Sequence, residues 1–382
     1  MLESLSTKQN QQQSLSNDET KKNRINNNMT KTNDDTLYKQ YHGRFRKYRG
    51  QSVAQVLNEE KDVFDITTAS SSSVIRMEGL ICIPNCLSPT IQNYLNYKCV
   101  SQYTQYPPYM TNLSTSTVKK STNCHLKKKA KVSMNDNLWE EYKEFNSILL
   151  SKKSKKKKTD PVARLYKKLT WSTVGYVYNW TQRCYQESYQ APMPPIFQTL
   201  AQSICKQFYN CSSQQQQQQP NLYFSAQAGV INYYHLNSNG MGGHKDDAEL
   251  TYEYPVISIS LGLCPGIFLL QTSSTKVLPI LLRPGDVILF HGPLRLALHG
   301  MPCVLQPEQT PPSSSSKDET FYQYNTLQDI GIKDDEKDIT IPNEDVIHLK
   351  SYTNTHRINI NLRQVLPHDM TSIPSPPPPP PP

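Results

Sequence analysis

The chain has no long apolar run. No stretch of its 382 residues approaches the roughly 18 consecutive apolar residues that a membrane helix needs. The N-terminus, MLESLSTKQNQQQ, also lacks the hydrophobic core of a secretory signal. A membrane role is therefore not expected. Early acids at Glu3, Asp18 and Glu19 argue against a mitochondrial presequence, so the nucleus and cytoplasm are the expected compartments, with the mitochondrion left open. Paired cysteines are missing too. The nine are odd in number and scattered, and only Cys82 and Cys86 lie close, with no second pair to complete a zinc site. Reduced thiols are expected. Residues 1–35 hold almost no apolar side chains, so burial cannot offset the entropy of ordering them, and they read as a disordered tail.

What is present is a core-forming chain with basic segments. A hydrophobic content of 36% suffices for a sizeable core once the polar ends are set aside, and a single monomeric chain is the simplest expectation. The formal charge of +9 favours an anionic partner such as nucleic acid. The excess is local. Lys127 to Lys129 and Lys155 to Lys158 flank an amphipathic helix predicted around Leu138, Trp139, Tyr142 and Phe145. These clusters read equally as a solvated loop or nuclear localisation signal and as a nucleic-acid contact.

The order of textures suggests four regions: the tail over 1–35, an N-terminal extension with helices and a basic loop over 36–165, a β-rich domain over 166–367, and a proline-rich tail over 368–382 whose end should be a polyproline II spacer. In the extension, GLICIPNC (79–86) reads as a short buried strand, and Ser88-Pro89 caps a helix to about Tyr103. From Leu169 onward, short runs rich in Val, Ile, Tyr and Phe are separated by Gly and Pro: 171–178, 222–234, 255–261, 266–271, 278–283, 286–291, 298–305 and 356–365. That spacing predicts a mainly β fold with flanking helices, a jelly roll. One helix over about 195–208 precedes most strands, Gln214 to Gln219 is a loop insertion, and 306–350 reads as a long polar excursion between the last two strands.

Three motifs carry chemistry. His244-Lys245-Asp246 follows the Gly-rich turn NGMGG (239–243). In extended chain, residues i and i+2 point the same way, so imidazole and carboxylate can meet one metal ion. Alone the pair says little, because many solvated turns carry one. A second histidine on a facing strand would complete a two-histidine, one-carboxylate triad with open positions. His299, in DVILFHGPLRLALHGMP, is the better candidate; His291, followed by Gly292 and Pro293, competes but reads as a turn residue. The third motif is RININLR (357–363), where alternation puts Arg357, Asn359, Asn361 and Arg363 on one face. Such a strand could be a cationic surface, or its arginines could hold a dicarboxylate bidentately beside the metal.

HKD at 244–246, PLRLALHGMP at 293–302 and RININLR at 357–363 together resemble the signature of the AlkB family of iron(II)- and 2-oxoglutarate-dependent dioxygenases. LTWSTVGYVYNW (169–180), AGVINYYHL (228–236) and RININLRQVL (357–366) resemble more narrowly the eukaryotic AlkB homologue one branch. The resemblance implies a double-stranded β-helix core and a reaction consuming O₂ and 2-oxoglutarate. It implies iron(II) on His244, Asp246 and His299, and co-substrate on Arg357 with Asn232, Tyr233, Tyr234, Asn359 and Arg363. Trp139, Tyr176, Val177 and Tyr178 match the family's nucleotide lid, where aromatic faces stack an extruded base, although strand tyrosines are also ordinary core. The implied function is oxidative demethylation or hydroxylation of methylated bases in tRNA or unpaired DNA, releasing succinate, CO₂ and, from N-methyl groups, formaldehyde. Demethylation of histones or other proteins, and a jelly roll that binds nucleic acid without turnover, are the alternatives. The long gap between His299 and Arg357, the longer turn before the HxD pair and the charge of Lys245 depart from the bacterial pattern, and a long insertion in that gap is similar to the homologue one branch.

Overall fold

The computed structural model describes residues 36–69, 74–114, 138–150, 168–209, 223–308, 322–331 and 340–374. Both basic clusters, the glutamine run, residues 1–35 and the chain from Ser375 lie outside the described residues. In chain order the elements are α1 (36–46), α2 (Val53–Glu59), β1 (Phe64–Asp65), β2 (Ile75–Met77), β3 (Leu80–Ile83), α3 (Pro89–Ser101), β4 (Met110–Thr111), α4 (Leu138–Leu150), β5 (Trp171–Gly175) and α5 (Pro195–Ile204). They continue with β6 (Ala228–His235), β7 (Met241–His244), β8 (Val256–Gly262), β9 (Gly266–Ser273), β10 (Lys276–Leu282), β11 (Val287–Phe290), β12 (His299–Val304), α6 (Asn343–Thr353) and β13 (His356–Arg363).

The strands form two sheets, β1-β10-β9-β12-β7 and β2-β3-β11-β8-β13-β6-β5-β4, the expected jelly roll. Strand period explains the three apolar layers. In the larger sheet, Ile257, Ile259 and Leu261 of β8 and Ile358, Ile360 and Leu362 of β13 face outward, where α3 and α5 cover them with Ile91, Leu95, Phe197 and Leu200. Each such side chain, fully buried, contributes about 1.5–3 kcal/mol. Between the sheets, Phe268, Leu270, Ile280 and Leu282 meet Leu80, Val256, Ile288 and Phe290. The outer face of the smaller sheet is sealed by Tyr38, Phe45, Tyr48, Val53 and Val56 against Ile267, Leu269, Leu281 and Cys303.

Helix α3 starts where its sequence signals place it: the Ser88 side chain accepts from the Ile91 N–H, and proline occupies the first helical position. Within the N-terminal extension, α1 and α2 close one face of the jelly roll. One region differs from the sequence reading. Within 306–350 the chain does not stay a polar excursion. Tyr324, Leu327 and Ile330 are buried in the main core, and α6 packs there through Leu349 and Tyr352. Its composition disguises this, because NEDVIHLKSYT buries only a narrow stripe and leaves Val346 and Ile347 exposed. No described helix is long and apolar enough to cross a membrane.

Candidate iron and co-substrate site

The inner face of the larger sheet becomes polar at one end because β13 presents Arg357, Asn359, Asn361 and Arg363 there. Pairing sets Arg357 opposite Tyr234 and Gly262, and Asn359 opposite Asn232 and Ser260. Facing them, β7 and β12 pair antiparallel with His244 opposite His299. Asp246 lies two residues beyond the end of β7, and the two rings stand with centroids 4.3 Å apart.

The structure brings His244, Asp246 and His299 together, one ligand atom from each lying within 4.8 Å of the others. The donors are oriented for metal. Nδ1 of His299 lies 2.9 Å from the Ala297 carbonyl and Nδ1 of His244 3.2 Å from that of Gly242. A carbonyl can only accept, so each Nδ1 carries the proton and each Nε2 keeps its lone pair. Those Nε2 atoms stand 3.9 Å from the two oxygens of Asp246. Burial first, and His244 second, lower the pKa of His299 to about 4, so it is neutral, the form that ligates. Burial works to raise the Asp246 carboxyl, but Arg363, His299 and His244 outweigh it and hold it well below the usual carboxylate range. A set of two imidazoles and one carboxylate fits iron(II) with open positions.

His291 is not in this group. Its ring packs edge-on to Tyr209 at 5.0 Å, on the turn into a short 3-10 segment.

The two inward arginines do different things. Arg363 donates from Nε and Nη2 to Asp246 Oδ2 at 2.9 and 2.7 Å, so it orients a ligand. Arg357 is completely buried; Nη2 donates to Ser260 Oγ at 2.7 Å and Nη1 to the Leu282 carbonyl at 3.3 Å, while Nε has no partner among the described residues. It has no carboxylate within ion-pair distance among those residues. A buried guanidinium left so is suited to a ligand's carboxylate. Asn359 is held by Ser258 and Ile259, and Asn361 donates to it.

Several predicted site residues sit elsewhere. Tyr233 turns away from the pocket: its hydroxyl donates to the Cys99 carbonyl at 2.7 Å and lies 3.0 Å from Ser172 Oγ, on the helix-covered face. Strand alternation requires this once Asn232 and Tyr234 face inward. Trp139 is core, not lid. It is 1% exposed, stacks on Tyr142 and donates from Nε1 to Asp345 on α6 at 3.1 Å. Val177 is likewise buried in the main core, and Tyr176 is tied through its hydroxyl to Glu187 at 2.8 Å. Only Tyr178 of that run joins an aromatic group that reaches the surface: its half-buried ring meets Trp180 at 4.8 Å, and Trp180, itself 55% exposed, lies 5.8 Å from Trp171. Trp139→Ala should therefore cost about 3–5 kcal/mol in chemical denaturation, the range for emptying a buried indole site, with no change in discrimination between substrates.

Three residues that sequence reasoning passed over complete the site. Arg295 pairs with buried Glu249 at 3.1 Å and donates to the Asp246 carbonyl at 2.8 Å. Glu249 also lies 3.6 Å from Arg363 and accepts from the Tyr185 hydroxyl at 3.2 Å. Arg295 stood inside PLRLALHGMP, where only the histidine drew attention; nothing local marks Glu249 or Tyr185.

The chain is similar to several known proteins. The chain is 29% identical over 302 residues to the Homo sapiens nucleic acid dioxygenase ALKBH1, covering 76% of this chain and 65% of that one. It is 30% identical to the Arabidopsis thaliana DNA N(6)-methyladenine demethylase ALKBH1A, over 61% of this chain and 58% of the other. It is 28% identical to the Schizosaccharomyces pombe tRNA demethylase abh1, over 61% and 70% respectively. The chain thus spans less than two thirds of the length of the human and Arabidopsis proteins it matches. A solved structure, that of OsALKBH1, aligns over 76% of this chain and all of its own, with 16% identity and a TM-score of 0.41. Residues 124–363 match the family model described as the 2OG-Fe(II) oxygenase superfamily, whose reagents are iron(II), 2-oxoglutarate and O₂. By that match, which takes in every strand from β5 to β13, the chain belongs to the 2OG-Fe(II) oxygenase superfamily.

Proposed function

We propose that this protein oxidatively demethylates or hydroxylates methylated bases in tRNA or unpaired DNA. The observation that carries the substrate class is the aromatic group of half-buried Trp171 and Tyr178 with exposed Trp180. It is wired to the site: Tyr178 packs on Tyr185 at 5.7 Å, and Tyr185 reaches Glu249, which neighbours Arg363 and so Asp246. Aromatic faces linked to a metal site through such a relay can stack a base taken out of its helix. The basic composition favours a polyanion, and the names of the relatives point the same way.

In this reading His244, Asp246 and His299 hold iron(II), and Arg357 receives the distal carboxylate of 2-oxoglutarate beside Tyr234, Asn232 and Asn359. The bound metal and co-substrate supply the oxidant, one oxygen atom of O₂ entering the methyl group and the other the succinate formed as CO₂ leaves. A hydroxylated N-methyl group then loses formaldehyde. The chain itself contributes orientation. Arg363 and Arg295 fix Asp246, and the two backbone carbonyls fix the tautomers of His244 and His299. The monomeric state, a nuclear or cytoplasmic location and phosphate contacts through Lys127–Lys129 and Lys155–Lys158 belong to the same reading.

The test is mass spectrometry of nucleosides and peptides after incubation with iron(II), 2-oxoglutarate and ascorbate, offering methylated tRNA, single-stranded DNA, duplex DNA and a methylated histone peptide. Methyl loss from tRNA or unpaired DNA with matching succinate is expected. Turnover of the peptide alone would transfer the chemistry to a protein substrate, and binding without succinate would leave a non-catalytic reader. Trp180→Ala should weaken single-strand binding by about 1–3 kcal/mol, the value of one stacking contact, measurable as a shift in a fluorescence titration at fixed salt.

A further inference from the structure

Strand β7, which ends in His244, is poorly held by its own sheet. It is an edge strand whose sole neighbour among the described residues is β12, with two registered pairs and an irregularity between them. Its sequence, Met241-Gly242-Gly243-His244, includes two glycines, which bring no side chains to pack and weaken a strand. A metal ligand needs placement to within about 0.5 Å. The rigidity has to come from elsewhere.

It comes from α1, which precedes the family-matched segment. Tyr38 is 2% exposed and lies behind β7 and β12. A Cβ on Gly243 would stand 2.5 Å from its ring, and one on Gly300 2.7 Å from its hydroxyl. Glycine at 243, next to His244, is therefore the counterpart of the tyrosine. One turn on, His42 donates from Nε2 to the Met241 carbonyl at 3.2 Å, and its ring stacks on Tyr38. At the end of the helix and just past it, Arg46 and Arg49 both donate to Asn239 Oδ1, at 3.2 and 2.6 Å, gripping the turn that leads into β7. The Gly50 N–H closes the bracket on the Val304 carbonyl of β12 at 2.9 Å.

We propose that α1 is a positioning element of the iron site, in which Tyr38 and His42 fix the place of His244 by bracing β7 from its outer face. The inference deepens the functional reading above and rests on its metal assignment. Tyr38 works by ring volume. Its hydroxyl has no hydrogen-bond partner among the described residues.

The experiment is an anaerobic cobalt(II) titration of the full chain, read by the ligand-field spectrum, alongside thermal denaturation. Tyr38→Ala and His42→Ala should each weaken cobalt binding by about tenfold or more, the effect of losing a group that orients a ligand, while Tyr38→Phe binds as the wild type does. Gly243→Ala should also weaken it, and Tyr38→Ala combined with Gly243→Ala should recover part of the loss, because the shorter side chain makes room for the added methyl group. Val56→Ala, a cavity in the same apolar layer but on α2, should lower the melting temperature without moving the cobalt affinity. Wild-type affinity in both Tyr38→Ala and His42→Ala would overturn the proposal, as would an equal loss in Val56→Ala. Half-buried His42 and the paired glycine variant keep the test decisive if Tyr38→Ala does not fold. The titration contains neither nucleic acid nor co-substrate, so a failure here is distinct from a failure of the demethylation reading.

Discussion

Arg357→Met will raise the 2-oxoglutarate concentration needed for half-maximal turnover by about a hundredfold or more, and will at the same time raise the melting temperature of the ligand-free protein. The first effect follows from the loss of the buried cation proposed to receive the distal carboxylate, since stranding one member of a buried ion pair costs about 3–5 kcal/mol and each 1.4 kcal/mol is a factor of ten. The second follows from what Arg357 lacks when no ligand is bound. It is fully buried, has no carboxylate within ion-pair distance among the described residues, and leaves Nε unpartnered. Burial lowers its pKa to about 10, so at neutral pH the unfolded chain holds that proton more tightly than the folded one, and the charged side chain is a net cost to the fold. Methionine removes the cost at similar volume. Isothermal titration with 2-oxoglutarate and a thermal melt of the same preparation give both numbers. Unchanged co-substrate affinity would move the carboxylate site to another residue, and a lowered melting temperature would mean that Arg357 holds the fold together, not the ligand.

Asp246→Ala is expected to abolish metal binding and turnover and to destabilise the protein by about 3 kcal/mol or more. His244→Ala should abolish turnover with little change in stability. The difference lies in the neighbours. Both Nε and Nη2 of Arg363 are spent on Asp246, and the side chains of both residues are less than a tenth exposed, so removing the carboxylate leaves a buried guanidinium with only Glu249 at 3.6 Å. The His244 side chain is 38% exposed, and its Nε2 stands 3.9 Å from Asp246. Cobalt titration and urea denaturation separate the two losses. Turnover above one-tenth of wild type in either variant would remove that residue from the triad, and His291→Ala, away from the site, should remain active.

Much of the site could be read from local pattern. Period two in RININLR places Arg357, Asn359 and Arg363 on one face, and the observed register with β6 and β8 has them so. The same rule separates Tyr233 from Asn232 and Tyr234, yet the resemblance carried all three together, and the strand period should have taken precedence. Trp139 was harder: an amphipathic helix with aromatic residues one turn apart serves equally as lid or core, and its partner Asp345 lies in α6, in a stretch whose polarity concealed a helix. Arg295, Glu249 and Tyr185 meet only when three separate segments converge, and a buried ion pair between distant positions leaves no periodic trace. Tyr38 belongs to the same class, because what it supports is a backbone.

The buried charges beside the metal ligands cancel in pairs, Asp246 with Arg363 and Glu249 with Arg295. Apart from the unpaired Arg357, the protein's half of the site is thus close to electroneutral before anything arrives. A divalent cation entering it adds two positive charges, with a third on Arg357 close by, in surroundings that screen poorly. A dicarboxylate brings the two negative charges that offset them. Metal and co-substrate are therefore coupled ligands, and reciprocity requires each to tighten the other by the same factor.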